Sequence, residues 1–324
     1  MAGPNAAILV TGATGFIGRH LVARLVREGR RVRCLARRDV AIPGAEVVRG
    51  DLAAGQGLRE AVEGVDVVLH LGGVTKALSR QDYQVGNVRG TCNLLAVCPP
   101  SVRLVHISSL AAAGPSPDGT PLAEDAPPRP VSDYGRSKWE AELAVGASAL
   151  SERAVILRPA VVYGPGDTDV YQVFRAVSRG LFATVGRRES WFSFIYVEDL
   201  VRAILMAAAS DRAAGKTYFV ANPLPVSWGE FASLAACLMG RRVRTVRIPS
   251  HLAYAAAWAS ELAARRRRKP GIFSRDKVRE AVYPYWVCNP ARAFHDFGFQ
   301  AATSLRDGMA ATLAWYKNSG WLKY

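Results

Sequence analysis

Apolar residues gather in short runs along the first half of the chain. The run from Ala6 to Thr11, AAILVT, has the length of a strand; a glycine-rich turn follows, and then Phe16 to Glu28, whose apolar positions recur on one helical face. Val32 to Ala36 is a second such run. Further runs at Glu46–Val48, Val65–Leu69, Arg103–Ile107 and Ala154–Leu157, with helical stretches between several of them, continue the alternation. This order predicts an α/β fold built on a doubly wound parallel sheet, with ligands at the carboxyl ends of its strands. After Tyr163-Gly164-Pro165-Gly166 the pattern loosens, and helices are predicted at Tyr171–Arg179, Glu198–Ala209, Trp228–Met239 and Leu305–Lys317. No run reaches the ~18 apolar residues of a membrane span.

The first turn, TGATGFIG, spaces Gly12, Gly15 and Gly18 as G-x-x-G-x-x-G between a strand and a helix. Glycine there permits the tight bend and lets backbone approach a pyrophosphate, while the helix offers free N–H groups to the phosphates. This is the pattern of a Rossmann nucleotide site, with Gly12, Thr14, Gly15, Phe16, Ile17 and Gly18 as candidate contacts. At the end of the second strand Ala36 stands where an acid would receive the 2′-hydroxyl of NAD, and Arg37 and Arg38 follow. The expectation is therefore NADP in preference to NAD. Asp51 and Leu52 after the third strand, and Leu71, Gly72 and Gly73 after the fourth, are the next candidates along the cleft.

The fifth strand ends in Ser108-Ser109, and Tyr134-Gly135-Arg136-Ser137-Lys138 places a tyrosine and a lysine on one helical face. A free phenol ionises near pH 10, and a neighbouring ammonium favours the phenolate. Ser109, Tyr134 and Lys138 are accordingly the candidate catalytic set: the serine holds the substrate oxygen, the tyrosine moves its proton, and the lysine supports both phenolate and nicotinamide ribose. Ser108 stays open as the alternative serine. His70 and His106, in or beside strands, read as structural histidines, and Trp191 and Phe192 as core.

Together TGATGFIG, Gly50-Asp51-Leu52, Asn87-Val88-Arg89-Gly90-Thr91, ISSLAAAG at 107–114, YGRSK at 134–138 and LRPAVVYGPGD at 157–167 span about half the chain. In them the chain resembles the extended short-chain dehydrogenase/reductases of the NAD-dependent epimerase/dehydratase superfamily. The resemblance implies that Asn87 joins the active-site network and that the backbone from Pro159 through Val161 and Val162 lines the nicotinamide. It also implies a Rossmann domain over residues 1–162 and a mainly substrate-binding lobe over 163–324, with the stretches Phe192–Val197 and Tyr218–Val220 returning to the main sheet. A homodimer paired through helices of the Rossmann domain is a further option it offers. YFVANPLPVSWGEF lacks the glycine pattern of sugar-nucleotide members, and VSWGEF and the closing WYKNSGWL resemble the 3β-hydroxysteroid dehydrogenase and sterol-4-carboxylate 3-dehydrogenase branch. A steroid-like or other lipophilic alcohol or ketone is thus the expected substrate. The alternatives are a nucleotide-sugar epimerase or dehydratase with tightly held NAD and, further off, a non-catalytic cofactor-binding protein.

Composition changes this picture little. Five cysteines, odd in number and without a C-x-x-C pair, argue against a disulfide framework and against a metal site, and suggest a reducing cytoplasm. No signal peptide is read before Thr11-Gly12. The formal charge of +15 comes from arginines scattered along the chain, and no recognition element for nucleic acid accompanies it. One cluster stands apart: the Ala- and aromatic-rich stretch from His251, with Tyr254 and Trp258 one turn apart, ends in Arg265 through Lys269. Two readings stay open for residues 251–269. The helix packs on the small lobe with its basic run in solvent, or it lies on an anionic membrane and makes the protein membrane-associated.

Overall fold

The apolar runs of the first half become β1 (Ala7–Thr11), β2 (Arg31–Ala36), β3 (Glu46–Arg49), β4 (Val67–His70), β5 (Arg103–Ile107) and β6 (Val155–Pro159). The short strands β7 (Val161–Tyr163), β8 (Leu181–Val185), β9 (Trp191–Phe192) and β10 (Phe194–Tyr196) precede β11 (Lys216–Val220). This architecture comes from a computed structural model that describes residues 6–267, 270–271 and 273–324. One all-parallel sheet runs β3-β2-β1-β4-β5-β6-β11, with helices on both faces. This is the doubly wound Rossmann architecture. Strand order reverses between β1 and β4, and that point opens the crevice outside their carboxyl ends.

Central position explains the sequence of these strands. Every residue of β4 is buried and all of β1 but its first, so they read as near-continuous apolar runs. The helix Phe16–Arg27 turns Leu21, Val22 and Leu25 onto the sheet and carries Arg24 and Arg27 in its last turn, where cations suit the helix dipole. It stops at Gly29, whose φ of +68° lets the Gly29 and Arg30 N–H groups return to the Val26 and Leu25 carbonyls.

The second half adds β12 (Val226–Ser227), β13 (Arg244–Ile248) and β14 (Tyr285–Trp286). Tyr218 to Val220 lies in the edge strand β11, whereas Phe192 to Val197 does not reach the main sheet. Phe194–Tyr196 pairs with β7, and Trp191–Phe192 sits between β12 and β14. The reason is aromatic packing: Phe194 stacks on Phe231 with ring centroids 4.7 Å apart, and Tyr163, Phe174 and Tyr316 complete a second core. β8 and β13 form a separate two-stranded parallel ribbon.

Peripheral membrane contact through 251–269 is not supported. The helix Ser250–Arg267 is held to the rest of the chain by the small Ala253 and Ala257, which pack inward on Val278, and its larger apolar residues Leu252, Trp258 and Leu262 are exposed. Trp258 points to solvent. Among the described residues no helix is long and apolar enough to cross a membrane. The membrane-associated location expected from this stretch falls with it. Arg268 and Lys269 lie outside the described residues.

Candidate active site

At the carboxyl ends of β1, β2 and β4 a cleft of about 400 Å³ is bounded by Gly12, Thr14, Gly15, Ala36, Arg37, Asp51, Leu52 and the Leu71-Gly72-Gly73 turn. Gly12 adopts a φ of +72°, and a methyl at Gly18 would lie 2.1 Å from the Gly12 carbonyl oxygen, so the helix lies directly on the turn. That helix has no side-chain cap and no acid in its first turn, which leaves its N–H groups for an anion. A dinucleotide pyrophosphate fits these donors. The side chain of Phe16 meets the His20 ring edge-on and that of Ile17 packs against the main core, while their backbone N–H groups open the helix and are among its free donors. One Asp51 oxygen accepts from the Ala53 N–H, which holds its turn in shape.

Arg37 and Arg38 are both exposed, and only Arg37 borders the cleft. No built 2′-phosphate pocket surrounds them; they share in the chain's general surplus of positive charge.

The helix Asp133–Gly146 carries Tyr134 and Lys138. Its N-cap Ser132 accepts from the Gly135 N–H at 2.9 Å, and the Asp276 carboxylate accepts from the Asp133 and Tyr134 N–H groups at 2.8 and 3.3 Å. Gly135 allows close approach to the short helix after Ser109: a methyl there would lie 2.4 Å from the Ala111 carbonyl oxygen. Ser109 caps that short helix through the Ala111 N–H and hydrogen-bonds the Tyr134 phenol. Both Ser109 and Tyr134 face a cavity of about 390 Å³. Ser108 does not: its buried hydroxyl donates to Glu142, which is paired bidentately with Arg158. Burial pushes the Tyr134 phenol above its ordinary value, while the Lys277 ammonium and the Ser109 hydrogen bond pull the other way.

Lys138 is buried and donates to the Ile107 carbonyl at 2.7 Å, and burial lowers its ammonium to about 8. Asn87 sits in a π-helical turn, Gln84–Arg89, accepting from the Val74 N–H at 2.6 Å and donating to Ser137 at 2.8 Å. Its carboxamide oxygen would stand 2.9 Å from a methyl at Gly73 of the cleft, and the Lys138 ammonium 3.9 Å, so Asn87, Gly73 and Lys138 meet there. Pro159 and Val161 line the cavity, while Val162 packs on the main core. Phe192, read as core, lines the cavity as well. His70 is held by Thr11 and Thr91, whereas both ring nitrogens of His106 lack partners, against the expectation of a satisfied histidine.

A model of the family described as NAD dependent epimerase/dehydratase matches residues 8–221. The chain belongs to this family. It is an NAD(P)-dependent oxidoreductase of the extended short-chain dehydrogenase/reductase superfamily. Its sequence is 31% identical to the ceramide reductase of Caulobacter vibrioides over 97% of this chain and 96% of that one. To the 2-alkyl-3-oxoalkanoate reductase of Shewanella oneidensis it is 28% identical, over 93% and 84% of the two chains. Among solved structures, MoeE5 in complex with UDP-glucose and NAD superposes with a TM-score of 0.79 at 28% identity, covering 97% of this chain and 99% of that one. MoeE5 is also solved with UDP-glucuronic acid, again with NAD. These complexes overturn the preference for NADP, and the exposed Arg37 and Arg38 give it no pocket to rest on.

Two residues of this site were not singled out by the sequence. Lys277 and Glu280 reach the cavity from the helix Arg275–Ala281, far along the chain from Tyr134. No local motif marks them, because only the folded second half brings that helix to the first.

Proposed function

We propose that the chain is an NAD-dependent enzyme that interconverts a ketone and a secondary alcohol on a substrate with a long apolar body. The observation that carries this reading is the cavity wall beside Ser109 and Tyr134. It includes Leu110, Val173, Phe182, Phe192, Trp228 and Trp286, and its charged members, Lys277 and Glu280, are paired with each other at 2.9 Å. Such a wall suits an acyl chain and offers no unpaired cation to a nucleotide diphosphate. The names of the ceramide and 2-alkyl-3-oxoalkanoate reductases support a lipid ketone.

In this reading Gly12, Thr14 and Gly15 would hold the pyrophosphate of NAD, Asp51 and Leu52 its adenosine end, and Gly73, Asn87 and Lys138 the nicotinamide ribose side. When bound, the reduced cofactor supplies a hydride. Ser109 donates a hydrogen bond to the ketone oxygen, and Tyr134 gives that oxygen its phenolic proton as the carbon is reduced. The phenolate then regains a proton from solvent. In the oxidising direction Tyr134 accepts the hydroxyl proton instead. Residues 163–324 act mainly as the substrate lobe.

A second reading is favoured by the solved structures, which weigh toward the nucleotide-sugar alternative more directly than toward a steroid. There the same proton and hydride steps are internal and the cofactor is restored each turnover. Purified protein is incubated with NADH and either a long-chain 3-oxo lipid or UDP-glucose, and the products are weighed by mass spectrometry. Gain of two hydrogens by the lipid, with loss of NADH absorbance, is the expected result. An untouched lipid alongside isomerised or dehydrated UDP-glucose would replace this reading with the second.

A further inference from the structure

The helix Arg275–Ala281 belongs to the second half of the chain, yet three of its side chains fasten on the start of the Tyr134 helix. Asp276 receives two of that helix's free N–H groups, and Glu280 accepts from the Ser132 hydroxyl at 2.7 Å. Lys277, between them, extends its ammonium over the Tyr134 ring, 5.5 Å from its centroid, while donating to Glu280 at 2.9 Å. Lys138, on the tyrosine's own helix, directs its ammonium to the Ile107 carbonyl.

We propose that Lys277 is a positioning residue for the reaction: its ammonium, brought over the Tyr134 ring by the substrate lobe, stabilises the phenolate that Tyr134 forms in each turnover. This inference rests on the reading of Tyr134 as the proton donor. A cation at this distance from a half-buried phenol favours its charged form, and a substrate filling the cavity removes the water that would screen it. The other groups facing Tyr134 do not supply that charge. Glu280 and Asp169 are acids that oppose ionisation, Asp276 is engaged by backbone N–H groups, Tyr83 presents its ring at 6.0 Å, and Ser109 contributes a neutral hydrogen bond.

The test reads the phenol directly. The full chain is prepared with Tyr carrying carbon-13 at Cζ and titrated by NMR with NAD bound; the resonance missing in Tyr134→Phe belongs to Tyr134. Lys277→Met is expected to raise its ionisation midpoint by about one pH unit or more, and Lys277→Arg to keep it near that of the unaltered protein. Lys277→Gln, which retains a donor for Glu280, carries the same expectation should the Met variant fail to fold. A midpoint unmoved in a folded neutral variant overturns the proposal. Full ketone reduction by Tyr134→Phe would instead overturn the reading of the tyrosine, an outcome independent of the titration.

Discussion

The nucleotide cleft and the substrate cavity flank the Tyr134–Lys138 turn and are built in opposite ways. The cleft is made largely of backbone: Gly12, Gly15, Gly72 and Gly73 bring main-chain atoms to its surface, and a methyl added at Gly12 would lie 2.8 Å from the Gly72 nitrogen. The cavity is made of side chains from segments scattered between Ser109 and Trp286, many of them aromatic. Backbone walls accept one rigid ligand shape, whereas side-chain walls change size by substitution without moving the strands behind them. On the proposed reading the backbone cleft holds the cofactor, and the side chains of the cavity select the substrate.

Tyr134→Phe separates the two regions most sharply. It should lower turnover by about 10²–10⁴-fold while leaving the dissociation constant for NAD unchanged, checked by NADH absorbance and by tryptophan quenching. Equal losses of turnover and NAD binding would mean the regions are not separable there. Lys138, beside Gly73 of the cleft, should leave its mark on stability. Its folded ammonium titrates near 8 against an ordinary 10.5, so the unfolded chain holds that proton more tightly between the two values. Stability should thus rise with pH across that window, by up to about 3 kcal/mol, and be level below it. Urea denaturation of Lys138→Met should lack this component.

Gly18→Ala tests the backbone side, where the added methyl must displace the Gly12 carbonyl. A loss of about 1–3 kcal/mol in stability and a weaker hold on NAD are expected, with turnover at saturating NAD preserved. Ala183→Phe tests the other side by narrowing the cavity. It should raise KM for a long-chain ketone by about tenfold and leave NAD binding alone, and the smallest substrates should be affected least.

This division also governs what could be read in the sequence. The Rossmann half was legible because each signal is local: an apolar run, a turn of glycines, a serine at a strand end, a tyrosine and lysine one helical turn apart. Strand limits moved by only a residue or two, as at β4, which begins at Val67 rather than Val65. The cavity was not legible in the same way. Phe192 reads as core because any buried aromatic does, and Lys277 carries no mark until Arg275–Ala281 is folded against Asp133. Arg37 and Arg38 misled for a related reason: adjacency to a strand end says where a guanidinium starts, not whether anything encloses it.

Gly135 gives the arrangement an unexpected economy. The separation between Ser109 and Tyr134 is set by a hydrogen atom where every other amino acid would place a carbon, because that carbon would lie 2.4 Å from the Ala111 carbonyl oxygen. The site's fine geometry is thus inherited through a residue that touches neither cofactor nor substrate. A displacement of about 1 Å at a reacting centre can cost a hundredfold in rate. A lineage crossing this position by single substitutions would therefore meet a drop in fitness with the serine, the tyrosine and the lysine all still in their places.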